Sequence, residues 1–197
     1  MGKRYSILVD TDRCIGCHAC SVACKMQWEL PEGVWWSRVP TIGGGEPKEP
    51  LNGRDKPAGT YPNLQMAWLP LLCMHCDDAP CATVCPVGAI SQREDGIVVL
   101  DKDKCIGCRY CIWACPYGAP QFDKDVVTKC NLCYPRVDRG RQPACVDACV
   151  YGARIFGDIN DPESEISKLS AAKGARALLP ELRAKPAVRY AGRQVRR

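Results

Sequence analysis

The sixteen cysteines constrain this chain more than anything else in it. They fall into four groups of four. The first is Cys14, Cys17, Cys20 and Cys24, and the second is Cys73, Cys76, Cys81 and Cys85. The third is Cys105, Cys108, Cys111 and Cys115, and the fourth is Cys130, Cys133, Cys145 and Cys149. None is left over. The first and third groups read C-x2-C-x2-C-x3-C. That spacing lets one tight loop present three thiolates to one cubic iron–sulfur cluster, while the fourth cysteine ligates another. At four thiolates per cube, the count closes on four [4Fe–4S] clusters with no remainder.

Other uses of cysteine fit less well. Structural zinc takes two ligands from each C-x2-C knuckle and has no use for a third at the same spacing. Disulfide frameworks belong to small secreted chains. This chain has 197 residues and only two Phe, so clusters should replace much of the hydrocarbon core, and the metal-free chain should fold poorly. The formal charge of +5 counts cysteines as neutral. Sixteen thiolates on four oxidised cubes add roughly −8, so the Lys and Arg excess offsets cluster charge and is no nucleic-acid footprint. The short apolar run after Lys3 and Arg4 is not a secretory h-region. No run approaches the roughly 18 apolar residues of a membrane span. The expectation is a soluble chain, not inserted in a membrane, whose clusters are assembled in the reducing cytoplasm; its final location, there or exported with a signal-bearing partner, stays open.

Along the chain, residues 4–10 read as a strand, followed by Asp12-Arg13 and the loop Cys14-Ile15-Gly16-Cys17. Gly16 lets the backbone turn close to a cluster. A helix is predicted over 20–30, stopped by Pro31. Residues 96–115 repeat this order, with Gly96 to Leu100 as strand and Cys105-Ile106-Gly107-Cys108 as loop. This is the half-unit of a ferredoxin. Residues 68–72 form another plausible strand. Cys85-Pro86-Val87-Gly88-Ala89 and Cys115-Pro116-Tyr117-Gly118-Ala119 end their groups in ferredoxin manner. In the fourth group Val150 replaces the proline, which suggests a looser turn.

The stretch 31–64 is rich in Pro and Gly, including Gly43-Gly44-Gly45, and holds Trp35 and Trp36 as either a partner interface or a cluster cover. His18 and His75 stand inside cysteine groups, where a supporting role is expected. Tyr110 and Trp113 are expected to shield a cube. A helix is predicted over 164–179. Residues 183–197 are basic, with little that could make a core, and read as a partner-docking arm or a frayed tail.

These groups resemble the four-cluster electron-transfer subunits of molybdopterin oxidoreductases, the dimethyl sulfoxide, polysulfide, thiosulfate and arsenate reductase type. Val22-Ala23-Cys24-Lys25, Pro143-Ala144-Cys145-Val146 and Phe156-Gly157-Asp158 echo that family. The resemblance implies an α+β fold of tandem, nested ferredoxin-like modules of the bacterial two-cluster type, with long loops and an extended C-terminal tail. One module would use 1–30 and 116–160, and the other 65–115. Residues 31–64 would be an insertion, and 161–197 a tail docking on a partner.

The resemblance also implies four ligand sets: Cys14, Cys17, Cys20 and Cys149; Cys24, Cys130, Cys133 and Cys145; Cys73, Cys76, Cys81 and Cys115; and Cys85, Cys105, Cys108 and Cys111. Spacing alone also permits pairing group one with two and three with four. In the family the first group's cluster lies nearest the catalytic subunit, and that of Cys73, Cys76 and Cys81 farthest from it. The implied function is a non-catalytic electron wire. It would join a subunit holding a molybdenum or tungsten pterin to a soluble carrier or a quinone-reactive membrane subunit. A free polyferredoxin is the alternative.

Overall fold

The computed structural model describes residues 2–42, 61–63 and 66–192. Most of the 31–64 stretch, including Gly43-Gly44-Gly45, and the last five residues of the tail lie outside the described residues.

Strand β1 (Tyr5–Asp10) is buried on both faces. Side chains alternate along a strand, so Ile7 and Val9 enter the central core while Leu8 enters a separate cluster behind the sheet. β1 pairs antiparallel with β8 (Arg154–Asp158), with Tyr5 opposite Asp158 and Val9 opposite Arg154. On its other edge it runs parallel to β9 (Arg189–Ala191), giving the order β8-β1-β9. The strand before the first cysteine group is thereby bonded to the strand after the fourth.

Helix α6 (Glu165–Lys173) covers the back of this sheet. Ser164 caps it by accepting from the Ser167 N–H, and Gly174 ends it in a left-handed conformation, before the Leu179 boundary read from sequence. Ile166 is fully buried at the contact, and a Cβ at Gly157 would stand 2.8 Å from its Cγ2. Only glycine lets helix and strand approach this closely.

The remaining elements are short. α1 (Ala19–Gln27) packs on α5 (Ala144–Asp147), and α2 (Pro80–Thr83) packs on α3 (Tyr110–Ala114). Two hairpins follow: β4 (Ile90–Gln92) with β5 (Val98–Leu100), and β6 (Gln121–Asp123) with β7 (Val126–Thr128). α4 (Tyr134–Val137) lies between the last two cysteine pairs. The strand expected over 68–72 shrinks to β3 (Ala67–Trp68), paired with β2 (Thr41–Ile42), and one bridge between Arg38 and Leu71. Pro70 has no N–H to give a ladder. The mixture of short helices and small sheets is α+β.

The basic C-terminal stretch differs from expectation. Ala184, Ala187, Val188, Tyr190 and Ala191 are all buried, and the Tyr190 hydroxyl donates to the Pro70 carbonyl at 2.7 Å. Small inward residues interleaved with Lys185 and Arg189 make a core segment that composition alone reads as a tail.

Candidate metal centres

The first C-x-x-C loop of each of the four groups shares one backbone device. The residue before the second cysteine is left-handed in each: Gly16 (φ 70°), His75 (φ 44°), Gly107 (φ 70°) and Leu132 (φ 53°). That turn brings the two thiols of each pair to one side. At Gly16 a Cβ would strike the Trp68 indole, and at Gly107 the Asp125 carbonyl, so these two positions need glycine for space as well as for φ.

Three groups also end alike. The Ala89 N–H donates to Cys85 Sγ and the Ala153 N–H to Cys149 Sγ, both at 3.2 Å. Cys115 receives backbone N–H groups from Ala119, Tyr117 and Gly118. Val150 does not loosen its turn. The Gly152 N–H meets the Cys149 carbonyl at 3.0 Å, against 3.3 Å for Gly88 and Cys85. The glycine sets this turn, not the proline.

None of the sixteen cysteines is in a disulfide, and they gather across the groups. Cys14 lies beside Cys20 and Cys149, and Cys14, Cys17, Cys20 and Cys149 line one cavity. Cys24 neighbours Cys145 and Cys133, and Cys130 neighbours all three. Cys76 neighbours Cys73, Cys115 and Cys81. Cys85, Cys105, Cys108 and Cys111 line a second cavity.

These gatherings follow one another in a row. Cys24 is close to Cys20 of the first set, Cys130 to Cys73 of the third, and Cys81 to Cys111 of the last. The gathering of Cys73, Cys76, Cys81 and Cys115 is therefore third in the row. That corrects its expected place as the farthest, which falls to Cys85, Cys105, Cys108 and Cys111.

Burial, reinforced by the neighbouring thiols, pushes Cys76 and Cys81 up to about 12. The same causes raise Cys24 and Cys130. Such thiols are neutral in the metal-free fold and need a cationic centre to become ligands. Cys85 differs. Burial opposes its ionisation, but N–H groups of Ala89, Val87, Ile90 and Gly88 hold its thiol below the usual range.

Buried polar side chains surround the sulfurs. His75 Nδ1 accepts from the Val98 N–H at 3.0 Å, which leaves Nε2–H facing Cys130 Sγ at 3.8 Å. Burial, with Lys129 and Arg4 nearby, keeps this imidazole neutral. Arg154 is 2% exposed. Burial opposes its charge, yet Cys145 and Cys20 beside it favour the charged form. Its Nε and Nη1 have no hydrogen-bond partner. Such orphaned donors beside sulfur fit an anionic cluster, since buried polar groups are otherwise paired. Sequence reading missed both Arg154 and Lys129. The one available signal was that Lys129 directly precedes Cys130.

Among the aromatics, Trp36 is buried, with its indole N–H donating to Thr128 Oγ1, and the Trp28 indole donates to Cys133 Sγ at 3.3 Å. Trp35 is partly exposed, under the Lys25 ammonium. Trp113 is 88% exposed and Tyr110 is exposed as well, so neither is packed into the interior.

Comparison with known proteins agrees with this picture. A 4Fe-4S dicluster domain family matches residues 64–159, and a 4Fe-4S binding domain family matches residues 5–26. A sulfite dehydrogenase subunit of Allochromatium vinosum is 39% identical, with the match covering 97% of this chain and 84% of the relative. A tetrathionate reductase subunit of Salmonella typhimurium is 41% identical over 96% and 72%. An anaerobic dimethyl sulfoxide reductase polypeptide of Escherichia coli is 42% identical over 87% and 82%.

Proposed function

This chain is a member of the family of iron–sulfur electron-transfer subunits of the molybdopterin oxidoreductases, and from that premise we propose that it carries four [4Fe–4S] clusters in a row. The four ligand sets are Cys14, Cys17, Cys20 and Cys149; Cys24, Cys130, Cys133 and Cys145; Cys73, Cys76, Cys81 and Cys115; and Cys85, Cys105, Cys108 and Cys111. The observation that carries this reading is the gathering of thiols from different groups, with two cavities each lined by one complete set. When bound, each cluster supplies a one-electron carrier whose potential the surrounding protein adjusts.

The residues of the chain do the rest. The left-handed residue in the first C-x-x-C loop of each group aims the thiols, and backbone N–H groups at Cys85, Cys115 and Cys149 stabilise thiolate charge. The pairing of β1 with β8 brings group one to group four, while the contact of α2 with α3 and the β4–β5 hairpin bring group two to group three. This supports two ferredoxin-like modules, one nested within the other. It favours group one with four, and two with three, over sequential pairing.

The partner at one end of the row is a catalytic subunit holding a molybdenum or tungsten pterin, as the family premise requires. The other end meets a soluble carrier or a membrane subunit. Among the described residues no helix is long and apolar enough to cross a membrane. Any docking by the described part of the tail, 161–192, falls to its outward side, since the inward side belongs to this chain's own core.

The test is anaerobic purification with the native partner, followed by iron and sulfide analysis. About sixteen iron atoms per chain are expected, four per cube, together with molybdenum or tungsten in the co-purified subunit. Far fewer irons overturn the cluster reading. A lone, fully loaded chain overturns the partner.

A further inference from the structure

Two buried cations face the thiols with no carboxylate to balance them. Lys129 is 3% exposed. Its Nζ donates to the carbonyls of Val98 and of Cys130, the latter at 3.0 Å, and faces Cys73 Sγ at 4.0 Å. Three acceptors surround it, which is what an ammonium with three N–H groups needs; a neutral amine would want a donor for its lone pair. Arg154 donates through Nη2 to Ser37 Oγ at 2.9 Å, while Nε and Nη1 remain orphaned. A guanidinium stays charged in a protein. Among the described residues neither cation forms a salt bridge. Arg4, also buried, shows the usual solution, since it pairs with Asp77 at 2.6 Å. Buried charges are paired as a rule, so the counter-charge of Lys129 and Arg154 must come from the sulfur sites.

The two are placed at different junctions of the row. Arg154 lies between Cys20 of the first set and Cys145 of the second. Lys129 lies between the second and third sets, against Cys73 and the Cys130 carbonyl. Lys129 also acts on Cys81 of the third set, but no buried cation is among the strongest charged neighbours of Cys85 or Cys111 in the last set. Backbone N–H donors do not distinguish the sets in this way, because they recur at Cys85, Cys115 and Cys149.

We propose that Lys129 and Arg154 are fixed counter-charges that raise the reduction potentials of the first three clusters, and that the cluster on Cys85, Cys105, Cys108 and Cys111 is set without one. The proposal rests on the four-cluster reading. A cluster held there would gain one unit of negative charge on accepting an electron from its neighbour in the row. A fixed positive charge in a weakly screened interior stabilises that reduced form. No proton is transferred in this step.

The test is a redox titration of the intact complex, followed by electron paramagnetic resonance, with iron analysis of every variant. In Lys129→Gln one potential should fall by about 59 mV, a tenfold loss in the one-electron reduction equilibrium. In Arg154→Gln at least one other potential should fall similarly, and the two variants together should lower three of the four. One and the same cluster should be unmoved by both, and Lys129→Arg should restore the first. Should the glutamine variant lose iron, Lys129→Met, of similar size, takes its place. Loss of iron from both, with retention in Lys129→Arg, is also the behaviour of a counter-charge. Full iron with no fallen potential overturns the proposal, as does loss of iron from all three lysine variants, which would assign Lys129 to packing alone. Wild-type protein with far fewer than about sixteen irons fails the cluster reading instead.

Discussion

The sheet beneath α6 and the hairpin region around β4 to β7 are stabilised by different materials. Behind the sheet, Leu8, Ile155, Ile166 and Ala191 form a cluster with no cysteine in it. The strands there join residues from both ends of the chain. In the hairpin region the buried set is Cys81, Ile90, Val98, Cys111 and Val127, with Cys105 at its edge. Its strands are three residues long and pair only with their sequence neighbours. Isolated two-stranded hairpins are marginal in water. The first region owns a hydrocarbon core, whereas the second lends its interior to thiols and depends on what they bind.

The largest expected effect comes from removing iron with a chelator under reducing conditions. Amide protection in β4–β5 and β6–β7 should collapse while β1, β8 and β9 keep measurable protection by hydrogen exchange. Simultaneous loss in both regions would erase the distinction drawn here.

Ile166→Ala comes next. It empties a fully buried position in the sulfur-free cluster and should cost about 2–5 kcal/mol by thermal unfolding of the loaded protein. Iron content should stay unchanged. Loss of iron from this variant would show that the two regions are not separable.

Tyr190→Phe removes the hydroxyl that ties β9 to the Pro70 carbonyl ahead of the second cysteine group. It leaves that carbonyl unsatisfied and should cost about 1–3 kcal/mol. Ser164→Ala removes the α6 cap, with an expected loss of about 1 kcal/mol. A cap variant that perturbs the clusters would place α6 closer to the redox sites than its packing suggests.

Parts of this arrangement were legible from residue order. The C-x2-C spacings, the glycines at 16 and 107 and the strand before each of the first and third groups are local features, and local sterics act on them directly. The boundaries of α6 were half legible. Ser164 announced the start, but Gly174 stopped the helix inside a stretch whose composition favours continuing. Lys129 and Arg154 gave almost no signal, because a basic residue near a cysteine reads as surface until its burial is known. The tail was misread for the same reason. Ala184, Ala187 and Val188 become core only when β9 joins β1.

By itself the sequence determined the kind of chemistry, because thiol spacing along a loop depends on backbone geometry over a few residues. Which groups gather together, and in what order the gatherings stand, was decided only by tertiary structure. Those choices depend on contacts across nearly the whole chain, such as Tyr5 against Asp158, and no local pattern encodes them.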